Sequence, residues 1–560
     1  MSIFNSVSLR KPKFSTFSLS HDVKTTCNMG TLVPILCKEV LPGDRFRVNT
    51  ELLCRLAPMT APMMQRVDVY THFFFVPNRL LWDNWETFIT GGEDGKQAPV
   101  FPRIPIGTGS FPITPGSLGD YLGIPSARGA STGNNGSGFV NSLPFKAYHL
   151  IWNEYYRDQN LTEPFDIHPE KDGLETDSDF VKSLLSLRTR AWQKDYFTSA
   201  LPWTQRGDDV VLPIAGSAPL NGSVSFNETT FGTFNAENYT GNKYDGQPVS
   251  YQSGFTPFGG ALVVKDKNGS ATTNLVGVLN GSSDTVSLTG SADLSEATAV
   301  TINELRRANA LQRWLEKNAR GGSRYIEQIL SHFGVRVADY RLQRPEFLGG
   351  GKSPVMISEV LQNSASDPSE EPKFTPQGTM AGHGVAATRN HAFTSKFYEH
   401  GFIIGIMSIL PKASYMNGLP RIFGKFDKFD YAFPEFANLG EQPIYNSEVY
   451  FPLDTGLANK PGAMPIGEPS GVFGYTPRYA EYKYAESTVH GDFRGSLKFW
   501  HMARDFNSAP ALNEDFVTCN DPNLNRVFAV DNNVDHHFWV EIFHDIRAIR
   551  PLPKYGTPML

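Results

Sequence analysis

GTLVPILCKEVLPGDRFRVNTELLCRLAPMTAPMMQRVDVYTHFFFVPNRLLWDNWETFITGG, residues 30–92, is the stretch on which the fold turns. LVPILCKEV and FRVNTELLCRL mix apolar and polar positions on either side of Leu41-Pro42-Gly43-Asp44. Proline presets φ and glycine accepts positive φ, so the four residues predict a tight turn between two strands. A third run, Arg66 to Val76, alternates less cleanly and ends in the apolar block Phe73-Phe74-Phe75-Val76 before Pro77 stops it. Leu81, Trp85, Phe88 and Ile89 then fall at helical spacing, with Asn78 as the expected cap and Gly91-Gly92 as the end. Three strands feeding a short amphipathic helix, with no nucleophile beside a base and no ligand set, read as scaffold.

Working outward, the composition agrees. The 560 residues hold 50 Gly and 39 Pro but only 19% charged side chains, with 12% aromatics and 40 Phe. Many turns and few charges suit a β-rich protein with long ordered loops, and the aromatics argue against disorder. A net charge of −6 gives no bulk attraction to nucleic acid, so any such contact needs a local basic patch. Four cysteines do not make a disulfide framework in a chain this long, which points to reduced thiols and a cytoplasmic folding environment. The first residues, MSIFNSVSLRKPKF, lack the apolar run of a signal peptide. The longest apolar block, Gly401 to Leu410, is too short to span a bilayer, so no membrane insertion is expected.

Residues 1–29 form a basic arm, with Arg10, Lys11, Lys13 and Lys24 against Asp22. Interleaved Phe14 and Phe17 give it the means to touch phosphates and bases, and Arg10, Lys11 and Lys13 are the candidate nucleic-acid contacts. The plainer reading is a solvated arm laid on a neighbouring surface. Residues 30–212 then carry the first part of the main domain. Its loops over 93–144 are rich in Gly and Pro, and helices are expected over Phe145–Leu161 and Asp179–Leu187.

From 213 to 300 the composition turns to Gly, Asn, Ser and Thr, with seven acids against three lysines. Asn-Gly pairs at 221–222, 268–269 and 280–281 signal hairpin turns, so this segment reads as an exposed surface insertion. Residues 301–560 return to the main domain. A helical insertion over 301–333 opens with a Thr301/Glu304 capping box, and its second helix, Ser323–Phe333, stops at Gly334. Its Arg306, Arg307, Arg313, Lys317, Arg320 and Arg324 are either a subunit contact or a solvated face. Strands are expected at 352–361, 401–410, 493–500, 528–530 and 535–549, and Pro/Gly/aromatic loops over 411–480. Separated strands with large excursions suit a jelly roll, an eight-stranded antiparallel β-sandwich with long loop and helical insertions.

No catalytic pattern survives inspection. Gly349-Gly350-Gly351-Lys352-Ser353 resembles the end of a P-loop, but Glu346 stands where the first glycine belongs and Pro354 follows at once. His536, His537, His544, Glu541 and Asp545 are dense. At strand spacing, however, His537 and Glu541 share one face and His544 points to the other. Ala381-Gly382-His383-Gly384 has no partner acid or nucleophile. The expectation is a protein that is not an enzyme, with no cofactor and no metal.

Three blocks then carry a resemblance. LPGDRFRV with FFFVPNRLLWDNWETFITGG is the first, and ELRRANALQRWLEKNARGGSRYIEQILSHFGV with RLQRPEFLGGG is the second. The third is YAEYK with VHGDFRGSLKFWHMARDF, and the three lie in the family's order. Together they resemble the major capsid proteins of small circular single-stranded DNA bacteriophages, the gokushovirus branch of the Microviridae. That resemblance implies a single viral jelly roll in a T=1 icosahedral shell, a homo-oligomer with pentameric assembly units around packaged single-stranded DNA. It also implies partners: a small DNA-binding protein, a pilot protein, a scaffolding protein, and a host cell surface receptor met by residues 213–300 at the threefold axes. Such a protein resides in the virion and assembles in the host bacterial cytoplasm. The competing reading is a carbohydrate-binding or carbohydrate-active β-sandwich, whose aromatic loops would form sugar platforms.

Overall fold

The computed structural model describes residues 13–107, 111–125, 138–208, 210, 216–225, 285–294, 302–322, 324–363, 377–451, 471–531 and 535–555. The chain divides into two compact units, Met1–Arg206 with Glu316–Leu560, and Gly207–Leu315. Both sheets of the sandwich lie in the first.

In chain order the strands are β1 (Ser15–Ser18), β2 (His21–Cys27), β3 (Val33–Val40), β4 (Arg45–Leu56), β5 (Val67–Pro77), β6 (Arg103–Ile106), β7 (Gly138–Asn141), β8 (Gly216–Ser225) and β9 (Thr285–Leu294). They continue as β10 (Glu346–Pro354), β11 (Met356–Leu361), β12 (Met380–Lys396), β13 (Gly401–Pro411), β14 (Glu441–Tyr445), β15 (Val472–Pro477) and β16 (Phe538–Arg550). One sheet runs β1-β16-β4-β12-β11, with β2 also on β16, and the other runs β10-β5-β13-β3. All their pairings are antiparallel. The strands number six and four, where the sequence reading expects eight. Two of the extra strands are continuations. β1 and β2 follow each other along one edge of β16, and β10 passes into β11 through Val355 alone, changing sheets as it does.

The turn at 41–44 forms as predicted. Gly43 has φ 96°, Asp44 N donates to Leu41 O at 3.0 Å, and Leu41 N donates to the Asp44 carboxylate at 2.8 Å. Arg550 closes on the same carboxylate at 3.2 Å, tying the turn to the last strand.

The uneven alternation of the third run has a physical cause. Phe73 and Phe75 enter the core between the sheets, whereas Phe74 and Val76 enter a second core on the sheet's other face. β13 is likewise divided, with Ile403, Met407 and Ile409 facing one core and Phe402, Ile404 and Ile406 the other. A strand covered on both faces reads as a continuous apolar run. Each fully buried Ile here contributes on the order of 2 kcal/mol. β4 has solvent on one side and alternates cleanly.

The second core is built by the excursion between β5 and β10. Helices α1 (Trp85–Thr90), α2 (Leu118–Tyr121), α3 (Leu143–Ile151) and α4 (Ser178–Leu185) lie in it, and a π-helical turn, Trp152–Tyr156, extends α3. Of Tyr148, Ile151, Trp152, Tyr155 and Tyr156, which helical spacing puts on one side, four are buried there and Tyr155 is half-buried. The helix expected after Asn78 is broken. A 3₁₀ turn over Asn78–Leu80 and α1 are separated by residues 81–84, of which Leu81 and Trp82 are both 0% exposed, while Phe88 and Ile89 remain exposed. Seating the Trp82 indole on Asp172, Nε1 to Oδ1 2.6 Å, takes precedence over one continuous helix.

Other expectations are corrected. Residues 493–500 form 3₁₀ turns and not a strand, and residues 528–530 contribute only a bridge from Phe528 to Met59. Within the expected arm 1–29, residues 15–18 and 21–27 are sheet strands. In the unit Gly207–Leu315, Asn221-Gly222 sits inside β8 opposite Thr289 and Leu288, so that pair is not a turn. The pairs at 268–269 and 280–281, and Thr301 and Ser323, lie outside the described residues. The helical insertion forms α5 (Ile302–Gly321) and α6 (Tyr325–Phe333), the latter ended by Gly334 at φ 70°. All four cysteines are free, and burial pushes the Cys37 thiol up to about 11 and the Cys54 thiol to about 12. No helix among the described residues is long and apolar enough to cross a membrane.

Candidate assembly and nucleic-acid surfaces

The sites that resembled catalytic machinery are structural. The glycines 349–351 lie on β10, opposite β5 and against β12. A Cβ on Gly349 would meet Ala392 O at 2.2 Å, one on Gly350 Thr71 O at 2.3 Å, and one on Gly351 Asn390 Nδ2 at 2.2 Å. The triplet permits close backbone approach where β10 leaves one sheet for the other. Ala381-Gly382-His383-Gly384 is not a loop but the start of β12, with His383 opposite Ser358.

The histidines diverge. His544 is 0% exposed, with Nδ1 3.2 Å from Thr50 Oγ1 and Nε2 3.1 Å from Ile35 O, so one imidazole bridges the two sheets. Burial lowers its pKa to about 4. His537 does not share the outward face of Glu541, contrary to the spacing argument. It precedes the strand, is buried, stacks on Phe528 at 4.0 Å and has Nε2 2.9 Å from Val530 O. His536 contacts Thr26 Oγ1 at 2.8 Å on the surface.

A cavity of about 840 Å³ beside β16 is lined by Trp539, Tyr121, Asp120, Glu541 and Lys24 among others. Its aromatics would suit a sugar, but two of its three carboxylates, Asp120 and Glu541, are engaged, and the third, Asp535, is exposed. Asp120 accepts from Gly116 N at 2.9 Å, and Glu541 pairs with Lys24 at 3.6 Å.

Among the described residues, a concentrated apolar surface lies at 421–439, three 3₁₀ turns in the loop region between β13 and β14. Ile422, Phe423, Phe426, Tyr431, Phe433 and Leu439 are all exposed there, Phe426 by 70%. The segment is firmly seated. Arg421 Nη1 donates to Glu448 at 2.9 Å and to Pro443 O at 2.7 Å, and Lys425 Nζ pairs with Glu481 at 3.1 Å. Burial raises the Glu448 carboxyl, with Arg421 pulling the other way. Burial would also raise Glu481, but hydrogen bonds from Gln442 and Lys425 outweigh it and its pKa is lowered. Above the turns, Asp430 Oδ2 accepts from Phe426 N and Asp427 N at 3.0 and 2.9 Å. A rigid segment holding aromatics out to solvent on a buried ionic base has the composition of an interface core. Sequence reasoning expects Pro/Gly/aromatic loops over 411–480 without singling out this segment. The density of Phe and Tyr between Arg421 and Gly440 was the available signal.

Of the cations on the helical insertion, Arg320 is committed within the chain to Glu441, and Arg324 contacts Glu154 at 3.7 Å and Glu327 at 3.4 Å. Arg306, Arg307, Arg313 and Lys317 are exposed. Of the candidate nucleic-acid contacts, Lys13 is exposed immediately before β1, and Arg10 and Lys11 lie outside the described residues.

A β-sandwich that holds an exposed aromatic segment on buried ion pairs has the surface chemistry of a protein that contacts other chains. The profile of the family described as "Capsid protein (F protein)" matches residues 6–560. The capsid protein VP1 of Chlamydia phage 1 is 38% identical over 100% of this chain and 97% of its own length. The capsid protein VP1 of Bdellovibrio phage phiMH2K is 35% identical over 97% and 95%, and that of Spiroplasma virus 4 is 30% identical over 98% and 95%. The chain belongs to this capsid-protein family, the virion structural proteins of Microviridae-type bacteriophages.

Proposed function

We propose that the chain self-assembles into a T=1 icosahedral shell around a circular single-stranded DNA genome. The carrying observation is the exposed aromatic segment 421–439, seated on the Arg421–Glu448 and Lys425–Glu481 pairs. Copies related by closed symmetry bury such surface against each other. Strand order supports a jelly roll. With β1/β2 and β10/β11 each counted as one segment, eight segments remain, and the neighbours 1·8, 3·6, 4·5 and 2·7 each sum to nine. A long hairpin folded over on itself gives that pairing, and the excursion at 78–345 is its tip.

Assembly proceeds in the host cytoplasm through pentamers, with scaffolding, pilot and small DNA-binding proteins as partners. The basic arm 1–29 meets the packaged DNA, and residues 213–300 form a threefold protrusion that engages the host receptor. The test is to express the chain and apply size exclusion and negative-stain microscopy. Discrete particles or pentamers are expected, and a stable monomer that binds glycans would overturn the proposal in favour of a carbohydrate-binding sandwich.

A further inference from the structure

The outward face of the six-stranded sheet carries a cation cluster that no ion pair among the described residues accounts for. Arg47 on β4 stands directly opposite Arg547 on β16, and Arg45, the preceding outward position on β4, stands opposite Lys396 on β12. The intervening Phe46 and the flanking Val48, Ile546 and Ala548 are buried, so the four cations share the exposed face. Neighbouring strands lie about 4.8 Å apart and successive outward positions about 6.8 Å apart, so four positive charges occupy a very small area. Like charges directly opposite destabilise a sheet.

Three other cations of this sheet are paired, while Arg55 stands exposed toward the far end of β4. Lys24 is paired with Glu541 at 3.6 Å, Arg389 with Glu51 at 2.9 Å, and Arg550 with Asp44 at 3.2 Å. Arg45, Arg47, Lys396 and Arg547 have no ion pair with any described carboxylate. The nearest acid along β16 is Asp545, whose oxygens accept from Asn49 Nδ2 at 3.1 Å and Ser20 Oγ at 3.3 Å. Lys396 also lies over the Tyr398 ring, 4.7 Å from its centroid.

We infer that this cluster binds the phosphodiester backbone of single-stranded DNA, with Arg45, Arg47, Lys396 and Arg547 each answering a phosphate. The inference rests on the capsid reading, and it assigns this sheet face to the packaged strand. Two further features favour a single strand. Phe543 and Trp539 continue the same outward row of β16, both partly exposed, and offer stacking faces to unpaired bases. Ser18 of β1 stands opposite Arg547 and Ser15 opposite Arg550, so the exposed Lys13 lies at the same end of the sheet as the cluster.

The experiment uses full-length chain, as particles and as dissociated subunits, with a fluorescein-labelled deoxythymidine oligonucleotide as probe. Each phosphate contact contributes a slope of about −0.7 to log K against log salt for a single strand. The Arg47→Gln/Arg547→Gln variant is expected to bind more weakly at low salt and to flatten the slope by about 1.4, and the fourfold glutamine variant by about 2.8. Removing like-charge repulsion should leave the double variant's melting temperature no lower than that of the parent chain, so weaker binding cannot be put down to unfolding. If the fourfold variant does not fold, Lys396→Gln alone should still flatten the slope by about 0.7. An unchanged salt slope in the double variant overturns the inference. So does a variant that binds the oligonucleotide normally but no longer assembles, which makes the cluster a protein contact. A parent chain that binds the oligonucleotide with this slope but never forms particles refutes the proposed self-assembly and leaves the phosphate site standing.

Discussion

His544 makes the fold sensitive to acid in a way that can be measured. It is fully buried between the sheets, and its neutral form donates from Nε2 to Ile35 O and accepts at Nδ1 from Thr50. Protonation removes that acceptor and places a charge beside Phe73 and His21, 6.1 and 5.5 Å away by ring centroid, with Lys38 also opposing it. Burial therefore lowers the pKa from 6.5 to about 4. Because the folded value lies below the unfolded one, the unfolded chain binds more protons at acid pH. The contribution of His544 is intact above pH ~6.5, falls through the interval, and levels off below pH ~4. Linkage gives a loss of about 2 kcal/mol at pH 5.0 relative to pH 7.5. His544→Gln keeps polar contacts without titrating. It should be less stable than the parent at pH 7.5, yet lose about 2 kcal/mol less on acidification. Urea unfolding of dissociated subunits at the two pH values measures both terms, and His72 and His149 cancel because both chains retain them. A difference in acid loss below about 0.5 kcal/mol would show that His544 is not held neutral by the fold.

Four other outcomes are expected. Gly349→Ala places a methyl group 2.2 Å from Ala392 O at φ 154° and should cost about 3 kcal/mol or prevent folding, whereas Gly424→Ala, with open space around it, should stay within about 0.5 kcal/mol by thermal unfolding. Arg421→Ala leaves Glu448 buried without its cation and should destabilise the subunit by about 3 kcal/mol at pH 7, a loss that Glu448→Gln in the same chain should partly restore. Deleting residues 213–300 should leave assembly intact and impair host attachment. Loss of all soluble protein would instead make that segment part of the core. Cys27, Cys54 and Cys519 should resist a thiol reagent at pH 8 until denaturant is added, because burial raises all three thiols.

What could be read in advance depended on how local the cause was. The turn at 41–44 and the strands beside it were legible because Pro42 and Gly43 act on their own backbone. The Phe73–Val76 block showed that the third strand was unusual but not that both its faces were covered, since the covering helices come from residues up to 185. The helix after Pro77 was misjudged because Trp82 answers to Asp172, a partner that periodicity cannot see. Residues 493–500 carry strand-like composition yet turn, with Arg526 holding the carbonyls of Lys498 and His501, both at 2.9 Å. His537 was placed on the wrong side because the strand begins one residue after it. At the candidate surfaces, residue type pointed to Lys13. The cluster of Arg45, Arg47, Lys396 and Arg547 was invisible, because register across three strands creates it.

The pairing of β1 and β2 with β16 joins residues 15–27 to residues 538–550. β16 is an interior strand, flanked on its other side by β4, so the six-stranded sheet cannot close until residues 538–550 have left the ribosome. Translation therefore keeps its own count. A chain that stops before residue 538 leaves β4 with a bare edge and the N-terminal strands without a template, and it cannot present the finished surface that an ordered shell accepts.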